Sequence, residues 1–407
     1  MEATAGEVRR RCRVLIIVEN LPVPFDRRVW QEATTLKDAG YEVTVICPCG
    51  KGLEKRREIL EGIRIYRHKL PLEANGFAGY LVEYSAALFW QMVLSLRVAF
   101  THGFDVIHAC NPPDTIFLVA ALFKPFGKKF VFDHHDLNPE LLEIKFGPRP
   151  LLRRILLLLE RLTFRLADVS IATNESYRDV AISRGNMDPE SVFVVRSAPD
   201  LDRLQGGVPQ QSLRRGRRLA VGYVGIMAQQ DGVDLLLHAA HEIIVNRGRT
   251  DTQFLLVGDG PELPALKRLA DELGITDQVS FLGYLRGQPL LNAFRTMDVG
   301  VAPDLVNDYN DKCTMNKVLE YMAFGIPLVQ FDLVEGRRSA GEGALYAQRN
   351  DPRDLALTIE RLLDDPELRK TVGRAGRRRI EETLAWHHEA PRLLAAYDKL
   401  TPIERAA

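Results

Sequence analysis

The sequence has little of what would place it outside the ordinary globular class. It has only five cysteines, Cys12, Cys47, Cys49, Cys110 and Cys313, and no two are spaced as CxxC. An odd, scattered set argues against a disulfide framework and against a zinc site, and suits a reducing cytoplasm. No apolar run approaches the roughly 18 residues that a membrane-spanning helix needs. The N-terminus leads into an apolar run of only about five residues, which reads as a first strand and not as a signal peptide. There is no excess of either charge: 54 Lys plus Arg balance 54 Asp plus Glu, which gives no global case for nucleic-acid binding.

The 407 residues are too many for one compact core, so two domains of about 200 residues are expected. Apolar strand-like runs alternate with helix-like segments: strands at 13–18, 43–47, 106–109, 130–133, 169–173 and 192–195, with a helix from about 27 to 39 that stops at Gly40. This is the rhythm of a parallel sheet covered on both faces. Around Gly206 it breaks into LDRLQGGVPQQSLRRGRRL, polar and basic without a period, which reads as a linker. It then restarts with strands at 219–224, 254–257, 279–282, 299–302 and 328–331. Residues 351–383 read as mostly helical, with a break at Pro366. The expected organisation is therefore an N-terminal domain over 1–200, a linker over 201–218, a second domain over 219–384 and a C-terminal segment over 385–407. Ligands of such sheets sit beyond the carboxyl ends of the strands, so two facing sheets would form a cleft.

The most informative block is PDLVNDYNDKCTMNKVLEYMAFGIPLV. A strand feeds a polar loop, then a helix from about 314 to 324 that ends at Gly325. Thr314 is its expected N-cap, and Lys317 and Glu320 share a face at a spacing of three. A carboxylate there can accept both hydroxyls of a ribose. A lysine one turn earlier, with Thr314 and Asn316 beside it, can meet a diphosphate at the helix N-terminus. The other reading of the same residues is a capped surface helix with an ion pair. Glycines at two strand-to-helix turns, Gly225 with Gly232 and Gly258 with Gly260 around Asp259, allow backbone N–H groups to approach a phosphate.

In the first half, FVFDHHDLNPE is a strand followed by a polar loop, with His134, His135 and Asp136 at its carboxyl end. Imidazole beside carboxylate can orient hydroxyls and stabilise developing charge. Adjacent histidines rarely bind one metal ion together, and no second ligand cluster follows. In ENLPVPFDRRVW, Asp26 reads as a helix cap, while Arg27 and Arg28 are open to a role with acceptor or donor phosphate.

The order of these motifs (ENLPVPFDRRVW, FDHHDLNPE, VGDGPE, then NKVLEYMAFGIPLV) resembles retaining glycosyltransferases of family 4, of the exopolysaccharide type, from about Arg13 to Tyr397. The resemblance implies a GT-B fold of two Rossmann-like domains and a nucleotide sugar held mainly by the C-terminal domain. It implies no obligatory metal or other cofactor, with the nucleotide sugar as co-substrate. It places the ribose carboxylate at Glu320 and a sugar-contacting histidine at His135, while His134, Asp136 and Arg27 are cleft candidates from the position of their loops alone. It also implies that the last helix, around 386–397, crosses back to the first domain. Three positions depart from the pattern: Ile226 and Asp231 stand where family members carry the arginine and lysine that hold the diphosphate, and Lys312 stands where many carry a glutamate. Asp231 is expected to cap the next helix, and Lys317 to supply the missing positive charge. Asp200 and Asp202 form a DxD outside the strand context that would make it a metal site.

These readings imply a hexosyltransferase-like enzyme acting on an acceptor sugar, a lipid-linked sugar or a small molecule, in polysaccharide, glycolipid or glycoconjugate synthesis. An epimerase of the same fold and a non-catalytic nucleotide-sugar binder are the alternatives; donor hydrolysis separates them. Residues 149–166 read as a helix with leucines and Ile155 on one broad face and Arg149, Arg153, Arg154, Arg161 and Arg165 on the other. Leu157 and Phe164 fall among the arginines. The readings are a core helix with a solvated basic face, or a helix that meets an anionic membrane surface from the cytoplasmic side.

Overall fold

The computed structural model describes residues 12–70 and 76–400. Residues 1–11, the polar stretch before the first expected strand, and 401–407, the end of the expected C-terminal segment, lie outside them. The chain divides into two units, Met1–Val195 with Ala390–Ala407, and Arg196–Glu389.

The first unit is built on strands β1 (Arg13–Ile17), β2 (Glu42–Pro48), β3 (Arg57–Leu60), β4 (Ile63–His68), β5 (Val106–Cys110), β6 (Lys129–His134), β7 (Val169–Ala172) and β8 (Val192–Val194). They lie in the order β3-β4-β2-β1-β5-β6-β7-β8. All pairs are parallel except β3 with β4. The central strands are apolar at successive positions because helices cover both faces. His108 in β5 and Asp133 in β6 break that rule, and both are fully buried. The helix Arg27–Asp38 starts where expected, with the Val29 N–H donating to Asp26 at 3.1 Å. The edge strand β3 and its neighbour β4 were not foreseen, because their apolar residues are interrupted by Arg57, Glu58, Arg64 and Arg67.

The second unit is a fully parallel sheet of β9 (Leu219–Val224), β10 (Thr252–Val257), β11 (Val279–Gly283), β12 (Val299–Ala302), β13 (Leu328–Phe331) and β14 (Ala344–Ala347), in the order β11-β10-β9-β12-β13-β14. Alternate residues of β10 feed two cores: Phe254 and Leu256 join one, Leu255 and Val257 the other. β14, short and at the edge, was not foreseen. The break at Pro366 is real: one helix ends at Asp364, and Asp365 caps the next, Pro366–Arg379. Residues 201–218, read as a linker, lie within this unit and are held on it. The N–H groups of Val208 and Gln210 donate to Asn292 and Thr296, each at 2.9 Å. The last helix, Trp386–Leu400, begins in the second unit and has its residues from Ala390 in the first.

Candidate active site

In the first unit, the carboxyl ends of β5 and β6 and the start of the helix Arg27–Asp38 converge on one buried charge cluster. Arg28 donates from Nη2 to Asp133 Oδ1 at 2.8 Å and from Nη1 to the Val195 carbonyl at 2.8 Å. The same Nη2 lies 3.0 Å from Glu32 Oε1, one helical turn on. His135 Nε2 is in short contact with Asp133 and lies 3.0 Å from Arg28 Nε. One ring nitrogen cannot donate to a carboxylate and accept from a guanidinium at once. Arg28 has other acceptors, so the Nε2 proton is assigned to the bond with Asp133. That tautomer leaves Nδ1 as the lone-pair nitrogen. At 17% exposure, His135 is the member of the cluster that reaches the surface most.

Burial alone would raise the Asp133 carboxyl. The Arg28 charge, then His135 and the hydrogen bonds from His108 and His135, outweigh it and hold Asp133 well below the usual range. Glu32 goes the other way: burial pushes it well above the usual range despite Arg28. The two carboxyls of the cluster are thus driven in opposite directions. His108 closes it from beneath, with Nδ1 2.8 Å from the Tyr397 hydroxyl and Nε2 3.4 Å from Asp133 and 3.5 Å from Glu32. Asn111, just after β5, fixes the loop that carries His135. Its Oδ1 accepts from the backbone N–H groups of His135 at 2.7 Å and Asp136 at 3.2 Å, and its Nδ2 donates to the Asp136 carbonyl at 2.7 Å.

Two of the expected cleft residues are placed differently. His134 is fully buried among Phe132, Phe164 and Tyr177, and burial lowers its imidazole to about 3, so it is a neutral core residue. Arg27 is exposed, and Arg28 takes the inward position. Asp136 is half-buried in the loop clamped by Asn111. Glu32, His108, Asn111 and Asp133 carry the geometry with no role foreseen in the sequence, and Arg28, open there to a phosphate, is instead paired with Asp133 and Glu32. A signal was there: Arg28, Glu32 and Leu36 share the buried stripe of one helix, where charge is out of place. His108, Cys110 and Asp133 lie close enough together to suggest a metal site. Asp133 is already engaged by the Arg28 guanidinium, which supplies the positive charge a metal would bring.

Glu19 follows β1 in the same unit and is buried. Burial, then the Glu83 charge, pushes its carboxyl up to about 8 from the ordinary 4.5. A raised carboxyl stabilises the fold below its unfolded value, and that stability is lost as pH rises through the folded value. Glu19→Gln is therefore expected to gain on the native protein as pH rises from 4.5 to about 8, and to hold a constant difference beyond. Denaturant unfolding of both proteins across this range measures it; parallel pH profiles would refute it.

In the second unit, three loops close on Lys317. The glycine turns after β9 and β10 pair through Gly225 N–H to Val257 O and Met227 N–H to Asp259 O, each at 3.0 Å. Gly258 sits at φ +140°, and a Cβ there would run into the Gly225 carbonyl, so only glycine permits this approach. Gly260 stacks in the same way on Met227, while Asp259 is exposed and accepts from the Gly260 N–H at 2.8 Å. A Cβ on Gly225 would stand 3.1 Å from Lys317 Cε, so the lysine stem lies against that turn.

Lys317 does not pair with Glu320. Its ammonium lies 2.6 Å from Asp304 Oδ1, 3.3 Å from Asp231 Oδ1 and 4.9 Å from the Tyr223 ring centroid. Burial would lower its pKa, but Asp304, then Tyr223 and Asp231, reverse this and hold it well above the ordinary value. Asp231 is a second correction. The helix Val233–His241 has no side-chain cap, and Asp231 instead accepts from the Ala228 N–H at 3.3 Å and faces Lys317. The helix bearing Lys317 is Asn316–Ala323, so Thr314 lies outside it and Met315 holds the cap position without a side-chain bond. Thr314 is half-buried and Asn316 exposed at that end. Glu320 is buried on the same helix, and its neighbour Tyr321 pins the helix to the sheet: the hydroxyl accepts from Val224 N–H at 2.9 Å and lies 3.2 Å from Val301 O. Ile226 is 65% exposed. Asp200 and Asp202 are used in a local turn, with Asp202 N–H donating to Asp200 at 3.0 Å.

Residues 26–203 match the family described as Glycosyltransferase Family 4, and residues 218–365 match the domain described as Glycosyl transferases group 1. The chain belongs to glycosyltransferase family 4. It is 28% identical over 224 residues to 2-deoxystreptamine glucosyltransferase of Streptomyces kanamyceticus, covering 53% of this chain and 56% of that one. A mannosyltransferase of Mycolicibacterium hassiacum is 26% identical, over 69% of this chain and 65% of its own. The family 4 chain thus spans between about half and two thirds of these curated relatives. Sucrose-phosphate synthase from Thermosynechococcus elongatus superposes with a TM-score of 0.78 at 19% identity, over 96% of this chain and 100% of that one. With two parallel-sheet α/β units and such neighbours, the fold is GT-B.

Proposed function

We propose that this family 4 member transfers a sugar from a nucleoside diphosphate sugar to an acceptor hydroxyl, with retention at the anomeric carbon and without an obligatory metal. The observation that carries the reading is the buried Lys317 ammonium held against the Gly225 turn, one helical turn from the buried Glu320. Glu320 takes the ribose hydroxyls, and Lys317 takes the diphosphate. The leaving nucleoside diphosphate gains negative charge as the glycosidic bond breaks, and a fixed cation stabilises that change most. Curated relatives named as a glucosyltransferase and a mannosyltransferase support hexose transfer.

His135, oriented by Asp133 and Asn111, contacts the transferred sugar. The acceptor is a sugar, a lipid-linked sugar or a small molecule, in polysaccharide, glycolipid or glycoconjugate synthesis. The enzyme works in the cytoplasm, peripherally on an anionic membrane face approached through residues 149–166. A thermal-shift panel of nucleoside diphosphates and their sugars identifies the donor, because a ligand of the folded state raises the melting temperature. With that donor, slow release of free sugar is expected. A changed but unreleased sugar, or neither product, would overturn the transferase reading. His135→Ala is expected to lower turnover at least about tenfold with the melting temperature kept, in line with the usual effect of losing a positioned imidazole. Unchanged turnover at saturating donor would remove His135 from the site.

A further inference from the structure

Three neighbouring helices of the first unit each turn an apolar stripe outward. On Gly76–Thr101 the exposed positions Phe89, Val93, Leu96 and Phe100 recur every three or four residues, the spacing of one helix face, and Phe100 is 86% exposed. On Phe117–Phe123 and the turn after it, Leu118, Leu122 and Phe126 do the same. Phe117–Phe123 packs against both Gly76–Thr101 and Pro150–Leu166.

The helix Pro150–Leu166 is not divided as its sequence pattern suggested. Phe164, expected among the arginines, is buried against Phe132 and His134, and Leu157 is half-buried. Instead Leu151, Ile155 and Leu158 are exposed, at spacings of four and three, on the same face as Arg154, Arg161 and Arg165. The cause is the pull of the core: Glu160, Thr163 and Phe164 face inward, which turns this side of the leucine face out. Among the described residues of the three helices no carboxylate is exposed. Glu160 is buried beside Arg184, and Glu83 is half-buried.

We propose that these three helices form one membrane-docking surface that inserts its apolar stripes into an anionic leaflet while Arg154, Arg161 and Arg165 meet the lipid phosphates. The proposal deepens the membrane part of the functional reading and does not depend on the transfer chemistry. The charge pattern selects the occupant. A second copy of the chain, docked two-fold on the same face, would bury these arginines with no exposed carboxylate on the three helices to pair with them. A lipid surface supplies both partners at once, because acyl chains take the apolar side chains and arginine stems lie along them with the guanidinium at the phosphates. Among the described residues no helix is long and apolar enough to cross a membrane, so the mode is docking on one face.

The test uses the full chain without donor, so that failure of glycosyl transfer and failure of docking are read separately. Flotation with phosphatidylcholine vesicles, and with vesicles that also contain phosphatidylglycerol, is expected to recover the protein on the second kind only, less so as salt rises. Phe100→Asp with Leu158→Asp is expected to abolish flotation with an unchanged melting temperature, since both side chains are exposed. Arg154→Gln with Arg161→Gln is expected to weaken binding about 30-fold, from about 1 kcal/mol per arginine. Absence of binding to anionic vesicles, or binding that both variants retain, would overturn the proposal. So would a wild-type dimer in sedimentation that the apolar variant dissociates, because a second copy would then own the surface.

Discussion

Replacement of Lys317 by methionine is expected to lower catalytic efficiency by roughly 30- to 1000-fold, the equivalent of about 2–4 kcal/mol of transition-state stabilisation. Methionine keeps the stem against Gly225 and removes only the charge. The structure makes the experiment more informative than the sequence suggested, because the ammonium already has two carboxylate neighbours, Asp304 at 2.6 Å and Asp231 at 3.3 Å. A diphosphate cannot be added to a cation facing two fully charged carboxylates without repulsion. Asp304 is the closer and the more deeply buried, and it holds the lysine in place. Asp231 is farther and partly open, and burial, ahead of the Lys317 charge, leaves its carboxyl above the ordinary range. In the proposed donor site Asp231 is therefore the group expected to yield to a diphosphate, by protonation or by turning away. Asp231→Asn should tighten nucleoside diphosphate binding, whereas Lys317→Met should loosen it, with the bare nucleoside unaffected by either. Because Lys317→Met strands Asp304, the double variant Lys317→Met with Asp304→Asn provides the control: it should regain melting temperature and stay unable to hold the diphosphate. Titration calorimetry on the variants decides. Equal diphosphate affinity in native protein and Lys317→Met would show that Lys317 is a structural ion pair and not the clamp.

The second large effect is on stability. Arg28→Met leaves the buried Asp133 charge without its guanidinium, and breaking a buried pair from one side costs about 3–5 kcal/mol. For a unit of this size that corresponds to a melting-temperature loss of roughly 6–20 °C. The pH dependence distinguishes this cause from simple loss of packing. In the native protein Asp133 is held well below the usual carboxylate range, so its contribution is present above its unfolded value and lost only in strong acid. Without Arg28 the largest lowering influence is lost, and burial is expected to raise the same carboxyl. Its stability is then present below the unfolded value and lost as pH rises through the raised one. The deficit of Arg28→Met should accordingly be smaller at pH about 4 than at pH about 7, as denaturant unfolding at the two pH values would show. A deficit independent of pH would mean that the apolar part of the side chain, not its charge, carries the effect. Activity should fall as well, since Asp133 then no longer fixes the His135 tautomer.

The sequence by itself determined the two-domain parallel-sheet architecture, because that information is local. Apolar runs such as RVLII must be buried on both faces, and Asp26, Gly325 and Asp365 mark helix ends by chemistry that acts within one turn. The family resemblance also rested on contiguous motifs. The tertiary structure alone decided which of two adjacent residues faces the site. Arg28 and not Arg27, and His135 and not His134, point toward Asp133, and a rotation of one residue about a helix or one step along a strand exchanges them. It also decided the partners of Lys317. Asp231 and Asp304 lie on loops after β9 and β12, which become neighbours only because those strands pair, while Glu320, three residues away, points elsewhere. Ion pairing follows distance in space, and a spacing rule along one helix cannot see a closer carboxylate that arrives from another strand.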